Sequence, residues 1–190
     1  MKAEKRGGGS GFSIGGHSEF KLIEKAKNGS KEAFEELMRN YMEVIYNYIC
    51  SHVSATEAAR DILQETMLSI WQCLKSFDGN SSLKTWCISI TRRKIADHYR
   101  KVYKDDSMSL EDLQEILKAE NDFECVYDKL AVENALTILD KTEREIVFLV
   151  FNAQLSYSEV SKIMNIPVGT IKSRMSGIKA KLKKRLGKGE

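Results

Sequence analysis

Proline is almost absent from this chain: in 190 residues there is one, Pro167. Glycine is confined largely to one end. Six of the twelve (Gly7, Gly8, Gly9, Gly11, Gly15 and Gly16) fall in the first sixteen residues, and between Glu19 and Leu186 only Gly29, Gly79, Gly169 and Gly177 remain. A β-sandwich or barrel needs turn residues at short, regular intervals. The body of this chain lacks them, so long helices with few connectors are expected. The four cysteines, Cys50, Cys73, Cys87 and Cys125, stand far apart with no C-x-x-C pair, and the histidines, His17, His52 and His98, are equally scattered. No zinc spacing results, and no metal site or cofactor is expected. The cysteines are expected to be buried core residues in a reduced, cytoplasmic setting. No apolar run approaches the ~18 residues of a membrane span. Residues 1–16 carry no apolar block of the secretory kind, so neither membrane insertion nor export is expected. No catalytic triad, paired-acid site or phosphate loop stands out, and an enzyme is not expected. What is present is an ordinary globular mixture, 42% hydrophobic and 30% charged.

The net charge of +3 decides little, but its distribution is informative. Residues 84–104 hold Lys84, Arg92, Arg93, Lys94, Arg100, Lys101 and Lys104 against Asp97 alone. Residues 105–124 reverse the sign, with Asp105, Asp106, Glu111, Asp112, Glu115, Glu120, Asp122 and Glu124 against Lys118. Residues 169–188 carry Lys172, Arg174, Lys179, Lys181, Lys183, Lys184, Arg185 and Lys188 with no acid at all. Two basic blocks flanking an acidic one are the electrostatic footprint of nucleic-acid binding.

Residues 1–17 read as a flexible arm rich in glycine and serine. A short helix from Glu19 to Lys27 ends at the Asn28-Gly29 pair. Ser30 opens a longer one, in which Phe34, Leu37, Met38, Tyr41, Val44, Ile45, Tyr48 and Ile49 recur at steps of three and four. A third helix spans about 55–74, with Ile62, Leu63, Met67, Ile70, Trp71 and Leu74 on an apolar face and Asp61, Gln64 and Glu65 together on another. The loop Asp78-Gly79-Asn80-Ser81-Ser82 precedes a fourth helix, about 83–102, with Ile88, Thr91, Ile95, Tyr99 and Val102 able to face a core. Asp97 and Arg100, at i and i+3, suit an intrahelical pair. The acidic stretch 105–122 has weak periodicity and reads as a linker. A second helical module begins near Phe123, its first helix marked by Tyr127, Leu130, Ala131, Leu136 and Leu139. Thr142-Glu143-Arg144-Glu145 and Ser156-Tyr157-Ser158-Glu159 each have the form of a capping box. Asn165-Ile166-Pro167 breaks the helix opened by Ser156, and a last helix runs from about Val168 to Leu186.

Two helices joined by a tight turn, the second strongly basic, describe a helix-turn-helix. Its second helix must lie in the major groove with small or hydrogen-bonding side chains at its start. Gly169, Thr170, Lys172, Ser173 and Arg174 meet that need, and later lysines such as Lys179 suit phosphates. The expected fold is therefore all-α: two small helical domains, 18–104 and 123–190, joined by the acidic linker 105–122, the C-terminal domain a helix-turn-helix.

The first domain sharpens this. Asp61-Ile62-Leu63-Gln64-Glu65-Thr66-Met67-Leu68-Ser69-Ile70-Trp71 resembles the core-binding helix of bacterial RNA polymerase sigma factors. Phe77-Asp78-Gly79-Asn80 through Leu83-Lys84-Thr85-Trp86 resembles their promoter-melting loop, and Ile90 through Arg100 the helix after it. Leu155-Ser156-Tyr157-Ser158-Glu159-Val160 and Val168-Gly169-Thr170-Ile171-Lys172-Ser173-Arg174 resemble their promoter-reading domain. The match runs in order from about Glu19 to Leu186 and leaves no room for the further domains of primary sigma factors. It points to the sigma-70 family and its extracytoplasmic-function (ECF) subfamily. Two departures stand out: Thr91-Arg92-Arg93 occurs where Ala-Arg-Asn is common, and Lys141 where a proline often opens a helix.

The resemblance implies a division of labour. Asp61, Gln64 and Glu65 would dock on core RNA polymerase. Phe77, Asn80, Ser81 and Trp86 would hold a flipped base of the minus-ten element, replacing the stacking that flipping costs. Arg92, Arg93 and Lys94 would hold the phosphates of the opened strand. The acidic linker would thread the polymerase channel. Gly169, Thr170, Lys172, Ser173, Arg174 and Lys179 would read the minus-thirty-five element as duplex. An anti-sigma protein, often membrane-anchored in the family, is an expected type of partner. The competing readings are a stand-alone dimeric helix-turn-helix regulator, which would bind specific duplex without polymerase, and a pure interaction protein with its basic faces sequestered.

Overall fold

The computed structural model describes residues 16–103 and 136–186, with no side-chain description of Gly16 and His17. Residues 1–15 of the expected arm, the acidic linker, Cys125 and most of the helix beginning near Phe123 lie outside these residues; Gly16 and His17, expected in the arm, belong instead to the first helix, and of the Phe123 helix only its end is described, with Leu139 buried. No strand occurs among the described residues, as expected of an all-α chain. No described helix is long and apolar enough to cross a membrane. No group of three or more His, Cys, Asp or Glu residues suited to a metal ion occurs among them.

Two compact units divide at Asn40 and Tyr41. The first holds α1 (Gly16–Lys27) packed against α2 (Lys31–Arg39). α1 begins three residues before the expected Glu19. It closes on Gly29, whose φ of +97° only glycine adopts freely. The N–H groups of Gly29 and Ser30 turn back to the carbonyls of Ala26 and Lys25 at 2.9 and 3.1 Å, satisfying two orphan acceptors. The Ser30 hydroxyl then accepts from the Ala33 N–H at 3.2 Å and caps α2.

The helix expected to run unbroken from Ser30 to Ile49 is two helices. α2 stops at Asn40, and α3 (Met42–Cys50) starts afresh after Tyr41. Asparagine favours helix ends because its side chain competes for backbone groups, and an unbroken period of three and four did not register the stop.

The second unit contains everything from α3 onward. α3, α4 (Thr56–Cys73, extended by a 3₁₀ turn, Leu74–Ser76) and α5 (Leu83–Tyr103) pack on one another. Ile45, Tyr48, Ile49, Ile70, Leu74 and Ile88 are almost wholly buried between them. The Tyr99 hydroxyl donates to the His52 carbonyl at 2.6 Å and ties α5 to the end of α3. Val102, expected in this core, is 57% exposed near the end of α5. Of the described cysteines, Cys87 is buried and Cys50 half-buried, whereas Cys73 is exposed, contrary to expectation.

Toward the C-terminus come α6 (Lys141–Val147), which widens into a π-helical turn over Phe148–Asn152, then α7 (Tyr157–Met164) and α8 (Val168–Leu186). The capping box of α6 sits two residues earlier than the Thr142 to Glu145 pattern suggested. Asp140 is the cap, and its carboxylate accepts from the Glu143 N–H at 2.8 Å while Glu143 accepts from the Asp140 N–H at 3.1 Å. The expected Ser156 to Glu159 box is present on α7. Asn165 adopts the left-handed conformation that ends α7, and Pro167 precedes α8. Ile171, Met175 and Ile178, at helical spacing, bury one face of α8. Lys181, read as part of a free basic block, instead bonds Glu143 at 2.6 and 2.7 Å.

Candidate nucleic-acid interface

Three surfaces carry the residues singled out by sequence. The first is on α4. Asp61, Gln64 and Glu65 are all exposed, and Leu68, one turn further along the same face, is 56% exposed. Leu68 completes an apolar and acidic face that the polar spacing alone left incomplete. Glu65 also takes two lysines from α5, Lys101 at 3.3 Å and Lys94 at 3.8 Å. Lys94 thus stands with this surface rather than beside Arg92.

The second surface is the loop before α5 and the start of that helix. Phe77 is buried, its ring 5.3 Å from that of Trp86, which is half-buried. The two rings, one just before the loop and one just after it, meet each other and bracket the loop. Between them Gly79 turns at φ +76°, and the Asp78 carboxylate accepts from the Asn80 backbone N–H at 3.0 Å. That bond, with a second from the Asn80 side-chain amide, holds the Asp78 carboxyl below the usual carboxylate range. Asn80 is exposed and Ser81 half-buried. Ser82 caps α5, accepting from the Thr85 N–H at 3.2 Å. Further along α5, Arg93 is exposed, whereas the Arg92 side chain is only 13% exposed.

The third surface is the start of α8. Gly169, Lys172, Ser173, Arg174 and Lys179 are exposed and Thr170 is half-buried. The Ser173 hydroxyl rests on the Thr170 carbonyl of its own helix at 3.0 Å. Because Ile171 and Met175 are buried beneath, the polar positions between them are held outward.

Sequence reasoning did not find the contact that joins the second surface to α6 and α7. Glu145 is buried there. Its Oε1 accepts from the Tyr48 phenol at 2.5 Å and from Arg92 Nε at 3.1 Å, with His52 Nε2 at 3.9 Å. Burial pushes the Glu145 carboxyl up, but His52, Arg92 and the Tyr48 phenol outweigh it and leave it below its ordinary range. Burial, and then the Glu145 charge, raise the Tyr48 phenol well above its usual value. Burial lowers His52, and the opposing pull of Glu145 does not restore it. Glu159, besides capping α7, accepts from the Ser82 and Thr85 hydroxyls at 2.7 and 2.9 Å. Burial raises it, and those hydroxyls together with Ser156 bring it below the usual carboxylate range. Two lysines cross as well: Lys162 donates to the Asn80 carbonyl at 2.8 Å, and Lys84 to the Ala153 carbonyl at 3.1 Å. These partners lie 53 to 97 residues apart in sequence, so no local pattern announces them.

A three-helix bundle packed against a basic helix-turn-helix defines a DNA-binding protein with two separate candidate nucleic-acid surfaces. The models of Sigma-70 region 2 and Sigma-70 region 4 match residues 37–104 and 129–182 respectively. Among similar proteins, the ECF RNA polymerase sigma factor SigW of Bacillus subtilis (strain 168) is 28% identical over 180 residues, covering 87% of this chain and 95% of the relative. The ECF RNA polymerase sigma factor RpoE of Cereibacter sphaeroides is 29% identical over 149 residues, covering 75% and 80%. A structure of the sigma factor RpoE in complex with the anti-sigma factor NepR from Bartonella quintana matches with a TM-score of 0.61 at 23% identity, covering 83% of this chain and 98% of that one. The chain belongs to the sigma-70 family of RNA polymerase sigma factors, in its ECF subfamily.

Proposed function

We infer that the three surfaces divide the work of a sigma factor among them. The chain binds core RNA polymerase and directs promoter-specific transcription initiation. The α4 face, Asp61, Gln64, Glu65 and Leu68, is assigned to the polymerase. The loop from Asp78 to Ser82 between Phe77 and Trp86, with Arg92 and Arg93, is assigned to the opened strand of the minus-ten element and to duplex melting. Thr170, Lys172, Ser173 and Arg174 are assigned to the minus-thirty-five duplex, with Gly169 allowing close approach and Lys179 on a phosphate.

The observation that carries this reading is the start of α8: a row of exposed hydrogen-bonding and basic side chains over a buried apolar face. RNA synthesis itself belongs to the polymerase, and the chain is assigned no reaction of its own. One structural neighbour was captured with an anti-sigma factor, and an anti-sigma partner is proposed for this chain too, with the cytoplasm as its place of action. Such a partner, if membrane-anchored, would hold it at the membrane.

Run-off transcription tests the reading. Core polymerase with this protein on genomic fragments is expected to give discrete transcripts that need both components. Asp61→Ala with Gln64→Ala should lower polymerase affinity while circular dichroism stays unchanged. Specific duplex shifts without polymerase, together with no new transcripts, would favour a stand-alone regulator.

A further inference from the structure

The loop before α5 fixes the direction in which one side chain points. Asp78 and Asn80 stand on either side of the turn at Gly79 and are joined twice. The Asp78 carboxylate accepts from the Asn80 backbone N–H at 3.0 Å and from the Asn80 side-chain amide at 2.5 Å. Those bonds keep the carboxyl below its ordinary range, so it is ionised at neutral pH. An ionised carboxylate has no hydrogen to give, so the end of the amide that meets it must be the NH₂ end. The Asn80 backbone carbonyl is taken as well, by Lys162, across the seam that α5 and its loop share with α6 and α7. What is left is the side-chain carbonyl oxygen, Oδ1. Asn80 is exposed, and nothing among the described residues donates to that oxygen.

We propose that Asp78 is a positioning residue that turns the Asn80 carbonyl toward the flipped base, so that the loop selects a base bearing an exocyclic amine and rejects thymine. The proposal rests on the assignment of this loop to a flipped base of the opened minus-ten strand. Adenine, cytosine and guanine each carry an exocyclic amine, at N6, N4 and N2, and thymine carries none. An amine on the base donates to Oδ1 and replaces the water that held it. Thymine brings carbonyl oxygens on both sides of its one ring N–H. Set against Oδ1, such a carbonyl leaves two acceptors facing each other where water has been displaced, a mismatch that corresponds to about tenfold in affinity. The second amide hydrogen of Asn80 offers thymine no escape. It sits on the nitrogen that faces Asp78, so a carbonyl reaching for it must approach the carboxylate charge.

The test uses holoenzyme assembled from core polymerase and the full-length chain, on a labelled fork fragment of a promoter recovered by run-off transcription. Its non-template strand is left single over the minus-ten element. Each single-stranded position in turn carries adenine, cytosine, guanine, thymine or no base, and affinity is read by fluorescence anisotropy. The natural chain is expected to show one position where thymine binds about tenfold more weakly than the preferred amino base. Asp78→Ala frees the amide to turn, and the difference there should shrink to about twofold. Asp78→Asn is the sharper variant. Its carboxamide oxygen is needed by the Asn80 backbone N–H, so its NH₂ meets the Asn80 side chain and turns that amide over, pointing N–H groups at the base. Preference at that position should swing to thymine. Folding damage weakens every position alike, so a change confined to one position reports the turned amide. Asn80→Ala separates the two claims. If it alters preference at no position, the loop is not the base pocket, and the proposal falls with that assignment. If it flattens one position, the assignment stands. Thymine favoured there by the natural chain, or a preference unmoved by both Asp78 variants, would then overturn the positioning role alone.

Discussion

The start of α8 and the start of α5 are both assigned to DNA in the proposed function, yet they are presented in opposite ways. On α8, Lys172, Ser173 and Arg174 project into solvent above a packed apolar face. On α5 and its loop, Arg92, Ser82, Thr85 and the Asn80 carbonyl are engaged by α6 and α7. The difference follows from what each surface meets. Duplex exists before initiation, so a duplex reader can stay bare. The opened strand exists only after melting, and a surface built for it would otherwise expose unsatisfied donors to any polyanion.

The contrast can be broken from the bare side. Ile171→Ala empties a fully buried site on the inner face of α8. It should cost about 2–5 kcal/mol in urea unfolding and abolish upstream duplex binding. Arg174→Ala leaves the packing intact. It should cost about 1–3 kcal/mol of upstream duplex affinity if it reads a base, with single-strand affinity unchanged. Equal loss on every duplex sequence would make it a phosphate contact. From the covered side, Ser156→Ala removes the hydroxyl that caps α7 and holds Glu159. A loss of about 1 kcal/mol in unfolding free energy is expected, together with a modest gain in strand binding.

Acidity gives the smallest and most selective test. His52 faces Glu145 and Lys141 of α6, with Arg92 and Tyr48 beside it on its own side of the contact, and burial lowers its pKa from the ordinary value of about 6.5. Its Nδ1 lies 2.8 Å from the Tyr48 carbonyl, leaving Nε2 toward Glu145. The closed form binds a proton less readily than the open one. Its stability is therefore complete above about pH 6.5 and declines as pH falls through the closed-state value. Protonation of Glu145, also lowered, would loosen the seam further, but only below the ordinary carboxylate range. Scattering between about pH 7.5 and 5.5 should show the chain expanding on acidification, and His52→Gln should flatten that response.

The elements that sequence made legible are those governed by local chemistry. α8 runs from Val168 to Leu186, as expected of a helix starting after the break at Asn165 to Pro167. The Ser156 to Glu159 box, the Asn28-Gly29 stop and the Asp97–Arg100 pair at 2.8 Å are likewise short-range. Where local patterns compete, sequence misleads. Asp140 to Glu143 and Thr142 to Glu145 both satisfy the spacing of a capping box, and only packing shows that Glu145 is withdrawn to bind Arg92 and Tyr48. Phe77 shows the same limit: a loop aromatic suits base stacking, but here its ring is buried beside Trp86. Lys94 and Lys181 count as basic block in one dimension and as partners of Glu65 and Glu143 in three.

Amide hydrogen exchange on the free, full-length protein tests the covered surface most directly. The account predicts that residues 78–85 exchange more slowly in the natural chain than in Glu145→Lys, while residues 57–68 of α4 and the exposed start of α8 exchange alike in both. Equal and fast exchange of residues 78–85 in the two proteins would contradict it.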